Sequence, residues 1–461
     1  MTTEKNLPTP PALHEHEKTM STATSPQQAK LRKRSAIKAY IASLSGTSLE
    51  YYDFAIYSVA SALVFPKIFF PGNDEFVGLL LSFSTFAVGY LARPLGGVIF
   101  GRLGDRLGRK HVLVVTLLLI GAATILIGVL PDYNAIGPAA PAILVLLRLA
   151  QGIGVGGEWG GAVLLSSEFG DPNKRGFWSS AAQIGPPAGN LMANGVLAIL
   201  AASLSNEAFL SWGWRVAFLA SALLVVFGLV IRLKLEETPV FKALVENNER
   251  SEAPLREVFR NEPRALIAAA LSRISPDVIY SMFTVYVAVY ATKELGMSTG
   301  NVLTAILVGS GVQIFIIPTA GALTDRFNRR LLYGIAAAGS AIYIPLFFIM
   351  IQDRSVVTLT LGVVGGLVFN GLMYGPQAAF ITEQFPARLR YAGSSLAYTL
   401  AGVLGGAIAP LIFTGLYAAT GTWYLIAVYL AVCAVITIVG VSLGRDPKPE
   451  EDLRLIHDVS A

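Results

Sequence analysis

An all-α membrane protein, with twelve transmembrane helices in two pseudo-symmetric six-helix halves, is the fold class this sequence predicts, and three observations predict it. Of 461 residues, 54% are hydrophobic and only 14% charged, with a mean hydropathy of +0.59, a balance typical of chains dissolved in lipid. Twelve apolar runs are each long enough to cross a hydrocarbon core of about 30 Å as a helix rising about 1.5 Å per residue. A basic loop also recurs: Gly101-Arg-Leu-Gly-Asp-Arg-Leu-Gly-Arg-Lys110 returns as Gly321-Ala-Leu-Thr-Asp-Arg-Phe-Asn-Arg-Arg330, with Gly, Leu, Asp and two Arg in register. The copies lie 220 residues apart, each after the second span of a six-span half. Glu168 and Arg175, after the fourth span, are echoed by Glu383 and Arg388 after the tenth. Repeats of this kind enclose a central cavity near the bilayer midplane.

Taken in order, residues 1–35 are rich in Pro, Thr, Ser and Lys and read as a disordered cytoplasmic tail without a cleaved signal peptide. Spans near 37–65, 76–100, 111–130, 142–166, 177–203 and 213–234 make an N-terminal half over 36–235. The polar segment 236–262 is a cytoplasmic linker. Spans near 264–291, 300–322, 331–351, 355–380, 391–418 and 423–443 make the C-terminal half, 263–445, followed by a cytoplasmic tail at 446–461. The long first, fifth, seventh and eleventh runs imply tilt or interfacial turns. Loops on one side carry only Lys67, Arg215, Lys293 and Arg354, whereas the other side holds the basic clusters, Arg232 among them. The positive-inside rule therefore puts both termini in the cytoplasm. That asymmetry accounts for a pI of about 9.1, so no nucleic-acid partner is implied. A single cysteine, Cys433 in the last span, excludes an internal disulfide and a cysteine metal cluster.

Two literal motif matches fail on context. Gly152-Ile-Gly154-Val-Gly156-Gly157 fits the dinucleotide fingerprint but lies inside an apolar span, not between a strand and a helix. Glycines 152, 156 and 160 instead make a stripe for close helix packing. Gly296-Met-Ser298-Thr-Gly300 fits a serine-nucleophile elbow, yet His14, His16, His111 and His457 all fall on the opposite side of the membrane. No phosphate-binding G-x-x-x-x-G-K-[ST] loop is present, so the chain is not read as an enzyme, and no cofactor or metal is called for.

Polar residues inside the spans carry the functional expectation. Ser43, Gly46, Glu50, Asp53 and Tyr57 fall on one face of the first helix. A charge at midmembrane costs roughly 3 kcal/mol or more, so such acids face a cavity, pair with a cation or hold a proton. Glu50 and Asp53 are candidates for the coupling proton, against the alternative of a structural pair with an arginine. The fourth span adds Arg148, Gln151 and Glu158, the last either a proton site or a buried packing bond. In the seventh, Arg273 and Asp277 are four apart and can bridge. Gln183, Asn190 and Asn194 share a face of the fifth span, and Asn370, Tyr374 and Gln377 a face of the tenth. These faces suit a binding cavity better than lipid.

The loop Gly101 to Lys110 resembles the signature of the major facilitator superfamily. Leu49-Glu-Tyr-Tyr-Asp-Phe54, Ala92-Arg-Pro-Leu-Gly-Gly97, Arg148 to Ala162, Trp212-Gly-Trp-Arg-Val-Ala-Phe218 and Glu236-Glu-Thr-Pro-Val-Phe241 resemble its metabolite:proton symporter branch, which includes permeases for shikimate, 2-oxoglutarate, citrate and proline or betaine. The likeness runs from about residue 36 to 445, with Tyr51 where Trp is common and Arg102 where His is common. It implies the superfamily fold and a conformational latch at Gly101, Asp105, Arg106, Arg109 and Glu168, repeated at Asp325, Arg329 and Glu383. The second copy, lacking two of the glycines, is expected to pack less closely. The expectation is a symporter of the bacterial cytoplasmic membrane, acting as a monomer and importing a small organic acid with protons by alternating access. Its carboxylate would meet Arg148 or Arg273, since guanidinium offers a bidentate fork, with Tyr57, Gln183, Asn190, Asn370, Tyr374 and Gln377 completing the site. A shikimate-like acid leads, ahead of dicarboxylates and zwitterionic osmolytes. A membrane sensor lacks an output domain, and a drug antiporter would want a more apolar pocket.

Overall fold

The computed structural model describes residues 26–72, 75–107, 109–234, 237–246 and 254–445. The described residues form no strand. The first six spans are α1 (Pro26–Leu63), α2 (Glu75–Leu91 running on as Arg93–Leu107), α3 (Arg109–Val129), α4 (Ala139–Gly156 and Glu158–Phe169), α5 (Arg175–Gln183 and Gly185–Ser203) and α6 (Trp214–Leu233). The second six are α7 (Pro263–Glu294), α8 (Thr299–Leu323), α9 (Arg329–Met350), α10 (Val356–Glu383), α11 (Ala387–Thr420) and α12 (Tyr424–Leu443). Among the described residues ten helices are long and apolar enough to cross a membrane, which leaves out α1 and α5. Those two hold Glu50, Asp53, Asn190 and Asn194, because they face protein rather than lipid.

Helix reaches back to Pro26, into the stretch expected as a disordered tail. The Gln, Ala, Lys and Arg there are strong helix formers. Residues 1–25 and 446–461 lie outside the described residues. In the linker, Pro239–Glu246 and Pro254–Asn261 are short helices. The second buries Leu255 and Val258, and its Glu257 lies 3.6 Å from Arg388.

Several spans break at midmembrane: α2 at Ala92, α4 at Gly157, α5 at Ile184 and α7 at Arg273. Pro94, Pro186, Pro187 and Pro276 follow three of these breaks, and proline cannot donate the next helical bond. Wide turns loosen α7 over Met282–Tyr286 and α11 over Gly402–Ala407. The breaks set Arg93, Glu158 and Arg273 at points where the helix is already interrupted. Glycine decides how α2 meets α4: a methyl group at Gly152 would overlap the Gly89 carbonyl, and one at Gly156 the Arg93 carbonyl.

Contacts between the halves repeat the internal symmetry. α5 packs on α8 and α10, and α11 packs on α2 and α4. Most of these contacts lie toward the face where Pro26 and Arg445 stand, called here the termini face.

Candidate substrate cavity and buried charges

A cavity of ≈ 1180 Å³ lies between the halves, toward the face remote from the termini. Tyr51, Phe54 and Tyr90 wall one side, and Asn190, Tyr280 and Thr284 the other. Among the described residues none that lines it is charged. At its base the Asn190 amide donates to the Tyr280 hydroxyl at 3.3 Å, and the hydroxyls of Tyr51 and Tyr398 meet at 3.0 Å. Beneath, the rings of Trp159 and Tyr398 stack 3.8 Å apart. Trp159 donates to Gln183 at 3.0 Å, and the Gln183 amide donates to Gln377 at 2.9 Å and to the Tyr374 carbonyl at 3.2 Å. The Tyr391 hydroxyl reaches the Gly157 carbonyl at 2.6 Å. Below the cavity the halves are thus sealed toward the termini face.

Charges stand one aromatic layer behind this base. Glu50 is buried, neither carboxylate oxygen has a hydrogen-bond partner, and Arg93 Nη2 lies 4.0 Å away. The Arg93 guanidinium lies over the rings of Phe54 and Tyr90, 4.2 and 4.1 Å from their centres. From the other half, Arg273 Nε donates to Asp277 at 3.0 Å and Arg273 also bonds the Tyr398 carbonyl. A methyl group built on Gly406, a cavity residue, would stand 3.6 Å from Tyr90 and 3.9 Å from Asp277. Deeper in the first half, Arg148 donates to Gln151 at 2.8 Å, Gln151 to Thr124 at 2.6 Å, and Thr124 to Asp53 at 2.7 Å. Four side chains on three helices link a guanidinium to a carboxylate.

The structure separates the expected site residues. Asn190 lines the cavity. Tyr57 and Arg148 do not: Arg148 is wholly buried, 3.6 Å above the Tyr57 ring and behind Phe54 and Phe86. Gln183, Tyr374 and Gln377 sit in the seal below. Asn370 is turned into its own half, accepting from Gln313 and donating to the Pro276 carbonyl, both at 2.6 Å. The face of α1 that carries Glu50 and Asp53 looks into the first half, whereas Tyr51, Phe54 and Ser58 meet the cavity. Helical spacing groups these residues correctly, but a half's interior excludes lipid as well as a cavity does. Glu158 is paired with Arg232, which also bonds the Leu113 carbonyl. Arg232 was expected among cytoplasmic cations, yet it is 3% exposed. Sequence reasoning also passed over Tyr90, Tyr280 and Tyr398; their only signal is a phenol within a span.

At the termini face, Asp325 accepts from the backbone N–H groups of Gly176 at 2.7 Å and Phe177 at 3.0 Å, at the start of α5 in the other half. Burial pushes its carboxyl up from the ordinary value, against those two donors and Arg329. Arg329 pairs with Glu383 and lies 3.7 Å from Asp325. A Cβ on Gly176 would overlap the Gly321 carbonyl, so in the second copy backbone meets backbone. The side chains of Asp105, Arg106 and Arg109 lie outside the described residues. Glu168 lines a small crevice with Arg175 and Arg390 between the halves.

Known proteins share this architecture. The Major Facilitator Superfamily profile matches residues 43–410 and, in a second match, 311–458. The inner membrane metabolite transport protein YhjE of Escherichia coli K12 is 37% identical, over 89% of this chain and 94% of its own. The shikimate transporter of the same organism is 35% identical, over 92% and 98%. The glycine betaine/proline/ectoine/pipecolic acid transporter OusA of Dickeya dadantii is 33% identical, over 87% and 81%. Among solved structures, the proton:xylose symporter XylE bound to 6-bromo-6-deoxy-D-glucose superposes with a TM-score of 0.71 at 18% identity, over 89% and 95%, a likeness of fold alone.

Proposed function

The chain belongs to the major facilitator superfamily and is a multi-pass membrane transporter, and from that premise we propose that it imports a small organic acid together with protons by alternating access. The basic termini face is cytoplasmic in this reading, so the cavity faces outward and the contacts beneath it are the closed inner gate. The observation that carries the reading is the meeting of charges from both halves, Glu50 with Arg93 and Asp277 with Arg273, behind one layer of tyrosine at the cavity base.

Arg273 is already engaged by Asp277 and the Tyr398 carbonyl. Arg93 is not: its Nε and Nη2 make no hydrogen bond, and its nearest counter-ion is Glu50 at 4.0 Å. Arg148 has the same two nitrogens free but stands behind Phe54 and Phe86, which moves the preferred carboxylate receptor from Arg148 to Arg93. A proton on Glu50 neutralises the counter-ion and leaves the guanidinium fork for the substrate carboxylate. Substrate and proton then favour each other's binding, which is the thermodynamic requirement of symport. Tyr51 and Tyr90 must part to admit the carboxylate.

Asn190, Asn194, Tyr280 and Thr284 offer hydrogen bonds to hydroxyl groups, which favours a hydroxylated ring acid such as shikimate. The aromatic wall of Phe54, Phe83, Phe86 and Tyr90 supports a second reading, since such faces hold quaternary ammonium groups. Uptake of labelled shikimate, 2-oxoglutarate and betaine by cells expressing the protein, with and without a protonophore, tests both. Shikimate accumulation abolished by the protonophore is expected. Accumulation of betaine alone would favour the zwitterion, and accumulation indifferent to the protonophore would reject symport.

A further inference from the structure

A narrow crevice, with room for about one water, runs inside the first half between α1, α3, α4 and α6, and shares no lining residue with the cavity. Glu50, Asp53 and Glu158 all line it, with Gly46 and Ser221. Four of their carboxylate oxygens, both on Glu50, Oδ1 of Asp53 and Oε2 of Glu158, are buried without a hydrogen-bond partner. Buried acceptors of this kind are satisfied by water where space allows. Gly46 is what makes room at the near end, since a methyl group there would overlap the Arg232 guanidinium. Beyond Glu158 stands its partner Arg232, which also bonds the Leu113 carbonyl. One turn earlier, Lys110 donates to the Leu233 carbonyl at 2.9 Å on the termini face.

We propose that this crevice is a proton path separate from the substrate cavity, running from Glu50 and Asp53 through Glu158 to the termini face past Arg232. The proposal rests on the symport reading above and adds the route. The proton on the Glu50 carboxyl passes by crevice water to the Glu158 carboxylate, which leaves Arg232 as it becomes the acid. Glu158 releases the proton at the termini face and pairs with Arg232 again, so both carboxylates are restored. The groups facing these acids are Arg93 and Arg273 toward Glu50, Arg148 and Thr124 toward Asp53, and Arg232 toward Glu158. Separate routes let the proton leave inward without passing through the substrate cavity, once the loaded carrier has turned inward.

Two measurements on the full chain in liposomes test the path. In the first, shikimate or betaine drives proton entry, read by a trapped pH dye, and counterflow of the same solute is read with label. Ser221→Leu fills the crevice without touching a titratable group; proton entry should fall by about tenfold while counterflow stays within about twofold. Glu158→Gln should lose proton entry and Glu158→Asp recover part of it. Proton entry unchanged in Ser221→Leu and Glu158→Gln overturns the path, as does a parallel loss of entry and counterflow. In the second, infrared spectra after a pH step without solute follow the protonated-carboxyl band that Glu50→Gln removes. Its equilibration should slow by about tenfold in Ser221→Leu and Glu158→Gln, and equal rates overturn the path. If neither solute drives proton entry into the wild type, it is the symport reading that fails, and the infrared rates still decide the route.

Discussion

Single side chains divide the labour of this site by what they lack. Glu50 lacks a hydrogen bond, whereas Asp53 has one from Thr124. Glu50→Gln should therefore abolish accumulation against a gradient while leaving solute exchange, because exchange does not need the empty carrier to lose a proton. Asp53→Asn should be milder, since an amide oxygen still accepts from Thr124. Accumulation in liposomes with an imposed pH gradient, beside counterflow, separates the two; loss of exchange in Glu50→Gln would reject its assignment. Arg93 and Arg148 differ in the same manner. Arg93→Lys keeps the charge but loses the fork, and substrate affinity should fall by roughly 1.5–3 kcal/mol, the worth of a charge-assisted bond. Arg148→Lys loses the Tyr57 stack and the Gln151 bond instead, so it should lower the melting temperature with little change in affinity. A calorimetric titration and a thermal melt on each variant read these outcomes. A large affinity loss in Arg148→Lys would return the carboxylate to that residue.

Helix pairs set which state the carrier rests in. Asp325 caps the start of α5 across the gap between halves, and Gly176 and Gly321 let the two backbones touch. Gly176→Val should force them apart and shift the resting population toward the inward-open state. Asp325→Ala leaves two buried N–H groups without an acceptor, at about 1–3 kcal/mol. Asp325→Asn keeps one acceptor oxygen but turns an NH2 toward the other N–H, so its effect should be smaller than that of Asp325→Ala and still measurable. Burial holds this carboxyl above its usual range while the contact is shut, so shutting takes up protons. The contact is then strongest below the ordinary carboxylate range and weakens as pH rises through the raised value. Labelling from outside of Asn194→Cys, with Cys433 replaced, should slow in Gly176→Val and Asp325→Ala, and to a smaller degree in Asp325→Asn. Equal rates in all would remove the latch role. The sequence showed this loop by its repetition, but not that the second copy makes the close backbone approach: the partner, Gly176, is an unremarked glycine 145 residues earlier in the chain.

At the scale of the whole molecule, the twelve helices and their two sixes were legible because lipid imposes length and apolarity on each span. The cavity lining was not. Helical spacing cannot tell a face turned to a cavity from one turned to the interior of a half, which is why Tyr57, Arg148 and Asn370 were grouped with Asn190. Nor can it show that Arg232 reaches back into the membrane, since its Cα stands where positive charge is ordinary. The Trp159–Tyr398 stack joins one half to the other at 3.8 Å, and it gives the molecule an optical signature. Inward opening must separate those rings, moving an indole from a dry aromatic sandwich to wetter surroundings. With the other four of its five tryptophans replaced by phenylalanine, the emission of Trp159 should shift to the red as the inner gate opens. The carrier would then report its own cycle in light, turnover by turnover, without a label.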